Sequence, residues 1–288
     1  MSSLQLVCSI PKQTLIGGVT YNPSIYGMSY NSARDELFFA DKANFVVRAM
    51  RVRDNAGDLR YVHNASFYVW SVCHMSDSDT LLVCWQKFFG TNWLLALSRN
   101  VSEWREAQRV QTDGAGWISC ALSDSRVLIG YGGDEDESPY MELFRVESGP
   151  HIARVHCIHV PEQYCWFSAT CGSDTLVAMS YTKEKNIPNG DNSVRVHRLR
   201  GDRLEELARI QLKCPTLLLW LADRLLVADY DKKSHAVIEI EVSDTRLERC
   251  RELIATSENI YVQRLCAVND GLAIFDRISR DIRHYSFV

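Results

Sequence analysis

Few residues of this 288-residue chain have the type and spacing that chemistry requires, and most of those are aromatic. Tyr26, Trp70, Trp117, Trp166 and Tyr261 each lie ten or eleven residues ahead of an apolar five-residue segment, although Phe, Trp and Tyr make up only 10% of the chain. Pro215 holds the sixth such place. Indoles and phenols at a recurring place offer flat contact area with a polar N–H or O–H at the edge, which is the chemistry of binding. The sets that turnover or metal binding would need do not accompany them. His156 and His159 lie three apart on a strand-like stretch, so they point to opposite faces and do not form a metal pair. No Cys-x-x-Cys pair and no Gly-x-Ser-x-Gly elbow occurs. Gly130, Gly132 and Gly133 follow a strand but open no helix, which argues against a phosphate cradle. Asp113, Glu258 and Asn259 lie near the starts of repeats, too few for a hydrolase that needs converging carboxylates, Asn or His. The reading is of no catalytic residue, no metal and no cofactor.

The apolar segments that follow the aromatics are the frame. They are Leu37–Asp41, Leu81–Trp85, Val127–Tyr131, Leu176–Ser180, Leu225–Asp229 and Leu272–Asp276, with steps of 44, 46, 49, 49 and 47 residues between their first members. A unit of that length cannot bury a core alone, so such repeats stack into one array. Each repeat reads as four short strands separated by turn residues such as Asn31-Ser32 and Asp54-Asn55-Ala56-Gly57-Asp58. No stretch keeps helical spacing with caps. Leu204–Leu212 is the nearest rival, and its place in the repeat makes it a strand. The sixth repeat lacks a fourth strand, while Leu4–Ile10 is a spare one ahead of the first. Pairing the two leaves no open sheet edge.

The predicted fold is therefore all-β: a single six-bladed β-propeller domain over residues 1–288. Its blades fall at about 21–65, 67–111, 114–160, 164–213, 214–256 and 258–288 plus 4–10. Leu37 to Val47, with its apolar-apolar-Ala-Asp…Asn pattern, resembles a blade of the NHL-repeat and TolB-like propellers, and Leu225–Asp229 is similar. That resemblance implies a propeller that binds a protein or, as the alternative, RNA. A hydrolase of the gluconolactonase or strictosidine-synthase type is a further alternative within such propellers.

Strands alternate in direction, so the aromatics and the loops joining second to third strands should open on one face, a mouth lined by Tyr26, Trp70, Trp117, Trp166 and Tyr261. The loops at 132–139 and 182–192 vary most, and variable loops on a rigid scaffold are where binding concentrates. Lys42, Lys87, Lys183, Lys185, Lys232, Lys233, Arg277 and Arg280 on that face would serve RNA, whereas Asp134–Glu137 would repel it. A net charge of −4 creates no field toward nucleic acid or anionic membrane. No apolar run approaches the roughly 18 residues of a membrane span, and no secretion signal opens the chain. Ten cysteines, several inside apolar strands, suit a reducing, cytoplasmic compartment. The partner expected at the mouth is a protein or peptide, and the chain is expected to be a monomer.

Overall fold

A computed structural model describes residues 4–16, 21–52, 59–65, 67–87, 91–101, 103–114, 116, 118–123, 125–131, 140–147, 151–160, 168–173, 175–181, 192–221, 224–231, 234–243, 246–255, 260–269 and 271–288. Their strands form six four-stranded antiparallel sheets, the architecture of a six-bladed β-propeller. Sheet 1 runs Ile25–Asn31, Glu36–Asp41, Val46–Arg51, Arg60–Asn64, and sheet 2 runs Tyr68–Met75, Thr80–Gln86, Asn92–Asn100, Glu103–Thr112. Sheet 3 holds Ile118–Ser123, Arg126–Tyr131, Tyr140–Glu147 and His151–His159. Sheet 4 holds Ala169–Cys171, Leu176–Tyr181, Ser193–Arg200 and Arg203–Gln211. Sheet 5 holds Pro215–Leu221, Arg224–Asp231, Ser234–Val242 and Leu247–Ile254.

Sheet 6 is completed as expected. Val262–Val268, Gly271–Asp276 and Ile282–Phe287 take Leu4–Ile10 as their fourth strand, in antiparallel register from Leu4 opposite Phe287 to Ile10 opposite Ile282. Arg203–Gln211 is a strand despite its Glu, Leu and Ala, because Ser193–Arg200 offers it a complete ladder. One short helix, Lys12–Ile16, departs from the all-strand reading. A single turn is too short to show a periodic signal. It forms because the Pro11 carbonyl accepts the Thr14 N–H at 3.0 Å, the Lys12 N–H donates to Asp281 Oδ1 at 2.8 Å, and Leu15 is buried.

The chain forms two compact units. Unit 1 comprises Met1–Trp117, Val146–Ala153 and Val262–Val288 and carries sheets 1, 2 and 6. Unit 2 comprises Ile118–Arg145 and Arg154–Tyr261 and carries sheets 4 and 5 with most of sheet 3.

In unit 1 the first strand of sheet 1 packs against the first strands of sheets 2 and 6. All six residues of Glu36–Asp41 are buried. Leu37 and Phe39 point into one apolar cluster with Phe275 and Ile282, and Phe38 and Ala40 into another with Val72 and Val83. Two buried faces explain why this strand reads as an unbroken apolar run rather than an alternation. The approach of sheets 1 and 2 depends on Gly27. A Cβ there would stand 2.6 Å from Ser71 Cα and 2.7 Å from Val72 N, so only glycine lets the two backbones meet.

Unit 2 repeats the arrangement. Val177 and Met179 pack with Leu128 and Leu143, while Ala178 faces Val194, Val227 and Ile238. The nine described cysteines form no disulfide. Cys120 and Cys171, on the first strands of sheets 3 and 4, bring their sulfurs to 2.7 Å.

Candidate binding site

The site begins with an aspartate. Asp41 ends the second strand of sheet 1, and its Oδ1 accepts the Ser24 N–H at 3.0 Å, fixing the chain as it enters the first strand. Its Oδ2 accepts from Asn44 Nδ2 at 2.7 Å, and Asn44 in turn exchanges hydrogen bonds with the Tyr21 backbone at 2.9 and 3.0 Å. The Ala-Asp…Asn pattern is thus a strap. Asp229 repeats it in sheet 5, accepting the Cys214 N–H at 2.7 Å, and Ser180 Oγ does so in sheet 4 for the Ser168 N–H at 2.9 Å. Burial raises the Asp41 carboxyl above its ordinary pKa, against the lowering effects of the Ser24 and Asn44 hydrogen bonds and the Arg48 charge.

The strap holds a tight 3-10 turn, Lys42–Asn44, closed by Phe45 in the left-handed region at φ 57°. A bulky residue rarely adopts that conformation. It is held by an Ala65 N–H bond to the Phe45 carbonyl at 2.9 Å and by the Phe45 ring lying 5.4 Å from Tyr68. The turn delivers Lys42 across to sheet 2. Its ammonium lies 3.5 Å from the centroid of Trp70, 4.8 Å from Tyr26 and 5.0 Å from Tyr68.

The rings brace one another. Tyr26 meets Trp70 edge to face at 5.4 Å, Tyr68 lies 6.2 Å from Trp70, and Trp70 Nε1 donates to Gln86 Oε1 at 2.9 Å. Tyr26 also carries the Arg264 guanidinium 5.4 Å from its centroid, and Arg264 Nε donates to the Tyr26 carbonyl. Burial lowers the pKa of Lys42, and it lowers that of Arg264 to about 10, so Arg264 remains charged at neutral pH. Among the described residues neither has a carboxylate partner.

Tyr26 and Trp70 share a backbone device. The register slips between Ile25 and Gly27 and between Val69 and Ser71, so each aromatic is the extra residue of a β-bulge, which re-aims its side chain. The same slip falls on Thr216 in sheet 5 and on Gln263 in sheet 6. Tyr261 therefore does not share the place of Tyr26, and Thr216 rather than Pro215 is the sheet 5 counterpart. The cause is turn length. Asn31 pairs with Glu36 and Met75 with Thr80 across four-residue turns, but Leu221 pairs with Arg224 and Val268 with Gly271 across two-residue turns. Counting back from the second strand slips by two residues there.

Tyr261 sits in unit 2, with its ring 5.6 Å from Tyr230 and 4.7 Å from His235. By strand register Tyr230, His235 and Tyr261 are the counterparts of Lys42, Phe45 and Tyr68. One repeat puts a cation among rings where the other puts a third ring. Trp117, Trp166, the loop at 132–139, Lys183, Lys185, Lys232, Lys233, Glu258 and Asn259 lie outside the described residues, as does the 182–192 loop up to residue 191. Tyr68 and Arg264 were not legible as site residues, and Lys42 was one of eight loop cations. The signal that could have found Lys42 is its place directly after the recurring Asp.

A second polar cluster occupies the other end of the same sheets. Glu36 accepts from Arg60 at 2.5 Å and from Arg99, whose Nε lies 3.3 Å from Asp79 Oδ2. His74 Nε2 stands 3.0 Å from Asp79 Oδ1 and 3.2 Å from Asn31 Nδ2. Burial pushes the Glu36 carboxyl up, but the hydrogen bonds and charges of Arg99 and Arg60 together hold it below the ordinary carboxylate range. Burial pushes the His74 imidazole down by more than Asp79 lifts it. A His beside an Asp suggests acid–base work, but the His74 side chain is only 2% exposed, and Ser29 Oγ is engaged by the His74 N–H at 2.8 Å. The cluster joins sheet 1 to sheet 2. Among the described residues no group of three His, Cys, Asp or Glu side chains is placed to hold a metal ion, and no helix is long and apolar enough to cross a membrane.

No protein-family model matches the chain, and no curated protein matches it. Solved structures do. The chain is similar to one in a crystal structure of a mitotic checkpoint complex, with 10% identity, TM-score 0.62, and coverage of 98% of this chain and 94% of the other. It is similar to Kuenenia stuttgartiensis hydrazine synthase at 9% identity and TM-score 0.64, covering 94% and 84%. It is similar to the Cps50 (Swd1) β-propeller domain of Myceliophteria thermophila at 11% identity and TM-score 0.59, covering 93% and 84%. Identities this low establish the fold alone, and that fold is shared here by an enzyme and by a member of a complex.

Proposed function

We propose that the chain is a non-catalytic binding scaffold, akin to the NHL-repeat and TolB-like propellers, that recognises a segment of another protein at the Lys42 end of unit 1. One observation carries the reading: a half-buried ammonium enclosed by Tyr26, Tyr68 and Trp70, with no carboxylate partner among the described residues. Chains fold their charges against opposite charges where structure is the only demand, as Glu36 shows. A cation set among rigid aromatics and left without a counter-charge is the anchor of an interface. The propeller in the mitotic checkpoint complex supports the reading by analogy, since that protein works within an assembly. The absence of disulfides among the described cysteines suits the proposed cytoplasmic setting.

The test is capture of partners by wild type, Tyr68→Ala, Lys42→Met and an opposite-end control, Arg60→Ala, each normalised to its folded fraction. A partner that binds through this site is lost at least tenfold with Tyr68→Ala and Lys42→Met and retained with Arg60→Ala. A partner held equally by all four proteins removes the Lys42 end as the binding surface.

A further inference from the structure

We infer that the Lys42 end of unit 1 receives a carboxylate-rich segment of another protein, with one carboxylate pairing with the Lys42 ammonium above Trp70. The inference rests on the binding reading above and adds the chemistry of the ligand. Its ground is a charge imbalance in the fold. At the opposite end the cations beside Glu36 meet anions: Arg99, with a buried side chain, has Glu36 and Asp79, and the more exposed Arg60 has Glu36. At the Lys42 end two cations, Lys42 and Arg264, rest on rings and carbonyls instead. Lys42 has Trp70, Tyr26 and Tyr68. Arg264 has the Tyr26 ring and the carbonyls of Tyr26 and Gln263. Arg48, fully buried, differs from these two: it has the Leu15 carbonyl and the Tyr61 ring, and its charge also acts on the Asp41 carboxyl.

The carboxylates nearby are already committed. Asp41 serves the Ser24 N–H and Asn44. In sheet 6, Asp276 serves Arg283 at 2.7 Å, Ser279 Oγ at 3.0 Å and the Ile278 N–H at 3.0 Å. Removing charge from water without an opposite charge is unfavourable, so an anionic ligand that restores the balance gains what the fold leaves unsatisfied.

Two features select a protein carboxylate over other ligands. A nucleic acid would stack bases on the indole, but the Trp70 face is covered by Lys42 at 3.5 Å, and the Trp70 edge is spent on Tyr26 and Gln86. A ligand cation would have to displace Lys42 and then sit beside Arg264. A carboxylate needs no displacement, because Lys42 is only half-buried and an anion can pair with its ammonium while the rings stay in place. The rings hold the long Lys42 side chain in one place, which lowers the ordering cost that makes most exposed ion pairs weak.

The experiment uses the whole chain and end-blocked heptapeptides in which Glu alternates with Ser and Phe, or Gln replaces every Glu. An octa-uridine RNA and tetramethylammonium serve as further probes. Binding is read by fluorescence anisotropy of labelled peptide or RNA and by competition with tetramethylammonium. The Glu peptide is expected to bind at least tenfold more tightly than the Gln peptide. Lys42→Met should remove that preference and Lys42→Arg restore most of it, with melting temperatures near wild type. Equal affinity for both peptides overturns the inference, as does a preference that survives Lys42→Met. Tighter binding of the RNA would assign the site to phosphate, and displacement by tetramethylammonium would make it a cation cage. Either result also overturns the inference. Should the peptides fail while a captured protein still depends on Tyr68, the carboxylate is wrong and the binding surface stands. Should the Glu peptide bind through Lys42 but ignore Tyr68→Ala, the carboxylate stands and the rings are packing.

Discussion

The strand Glu36–Asp41 has an acidic residue at each end, and the two ends of unit 1 use them in opposite ways. At the Glu36 end the carboxylate is spent on charge. It meets Arg99 and Arg60, Asp79 joins Arg99 and His74, and the cluster closes on itself between sheets 1 and 2. At the Asp41 end the carboxylate is spent on backbone and on Asn44, so the adjoining Lys42 has only rings for company. Both ends bridge the same pair of sheets. The difference is whether the charges cancel within the chain, and it separates a device that holds blades together from the end proposed above to bind a partner.

The comparison breaks most sharply at Glu36. Glu36→Ala leaves Arg99, only 6% exposed at its side chain, without its main counter-charge. Breaking a buried pair from one side costs about 3–5 kcal/mol, so a chemical unfolding midpoint should fall steeply. The double variant Glu36→Leu with Arg99→Leu should lose much less, because no charge is stranded. A loss under about 1 kcal/mol in the single variant would show that the closed end does not join the sheets.

Gly27 tests what the two ends have in common, the approach of sheets 1 and 2. Gly27→Ala places a Cβ 2.6 Å from Ser71 Cα, and forcing backbones apart costs about 1–3 kcal/mol. The strand carries Tyr26 toward Trp70, so the same change should alter near-ultraviolet circular dichroism of the ring cluster. An unchanged melting temperature and spectrum would mean the sheets meet differently.

Acid sharpens the contrast next. Folding holds the His74 and His63 pKa values below their ordinary value of 6.5, chiefly through burial, so the unfolded chain takes up protons first. The stability tied to neutral histidine is present above about pH 6.5 and declines as the pH falls through that value. His74→Asn should flatten the loss between pH 7 and 5, while Lys42→Met leaves it unchanged. A slope identical to wild type in His74→Asn would remove His74 from the account.

The smallest effect belongs to the open end. Lys42→Met keeps the long side chain over the rings and removes a partly solvated cation, so stability should move by about 1 kcal/mol or less in either direction. Thermal unfolding measures it. A large loss would make Lys42 a structural residue like Glu36, and the distinction between the two ends would disappear.

The sequence alone determined how many repeats there are, the four-strand unit, and the spare strand Leu4–Ile10 that completes sheet 6. These follow from local periodicity and turn residues, which every repeat states for itself. It also marked Asp41 and Asn44 through the Ala-Asp…Asn pattern, without showing that they strap the blade rather than bind. It could not place the aromatics. Turns of four or two residues shift Tyr261 away from the bulge that Tyr26 and Trp70 share, and nothing in the spacing of the apolar segments reveals which turn is which. The short helix Lys12–Ile16 escaped for the same reason, being one turn held by burial of Leu15 and not by pattern. Contacts between repeats were decided only in three dimensions. Lys42 reaches Trp70 and Glu36 reaches Arg99 because Gly27 lets two backbones touch, and the bulges then turn the rings toward the ammonium. Periodicity records what a strand does within its own sheet; which charges meet across sheets depends on how closely the sheets pack.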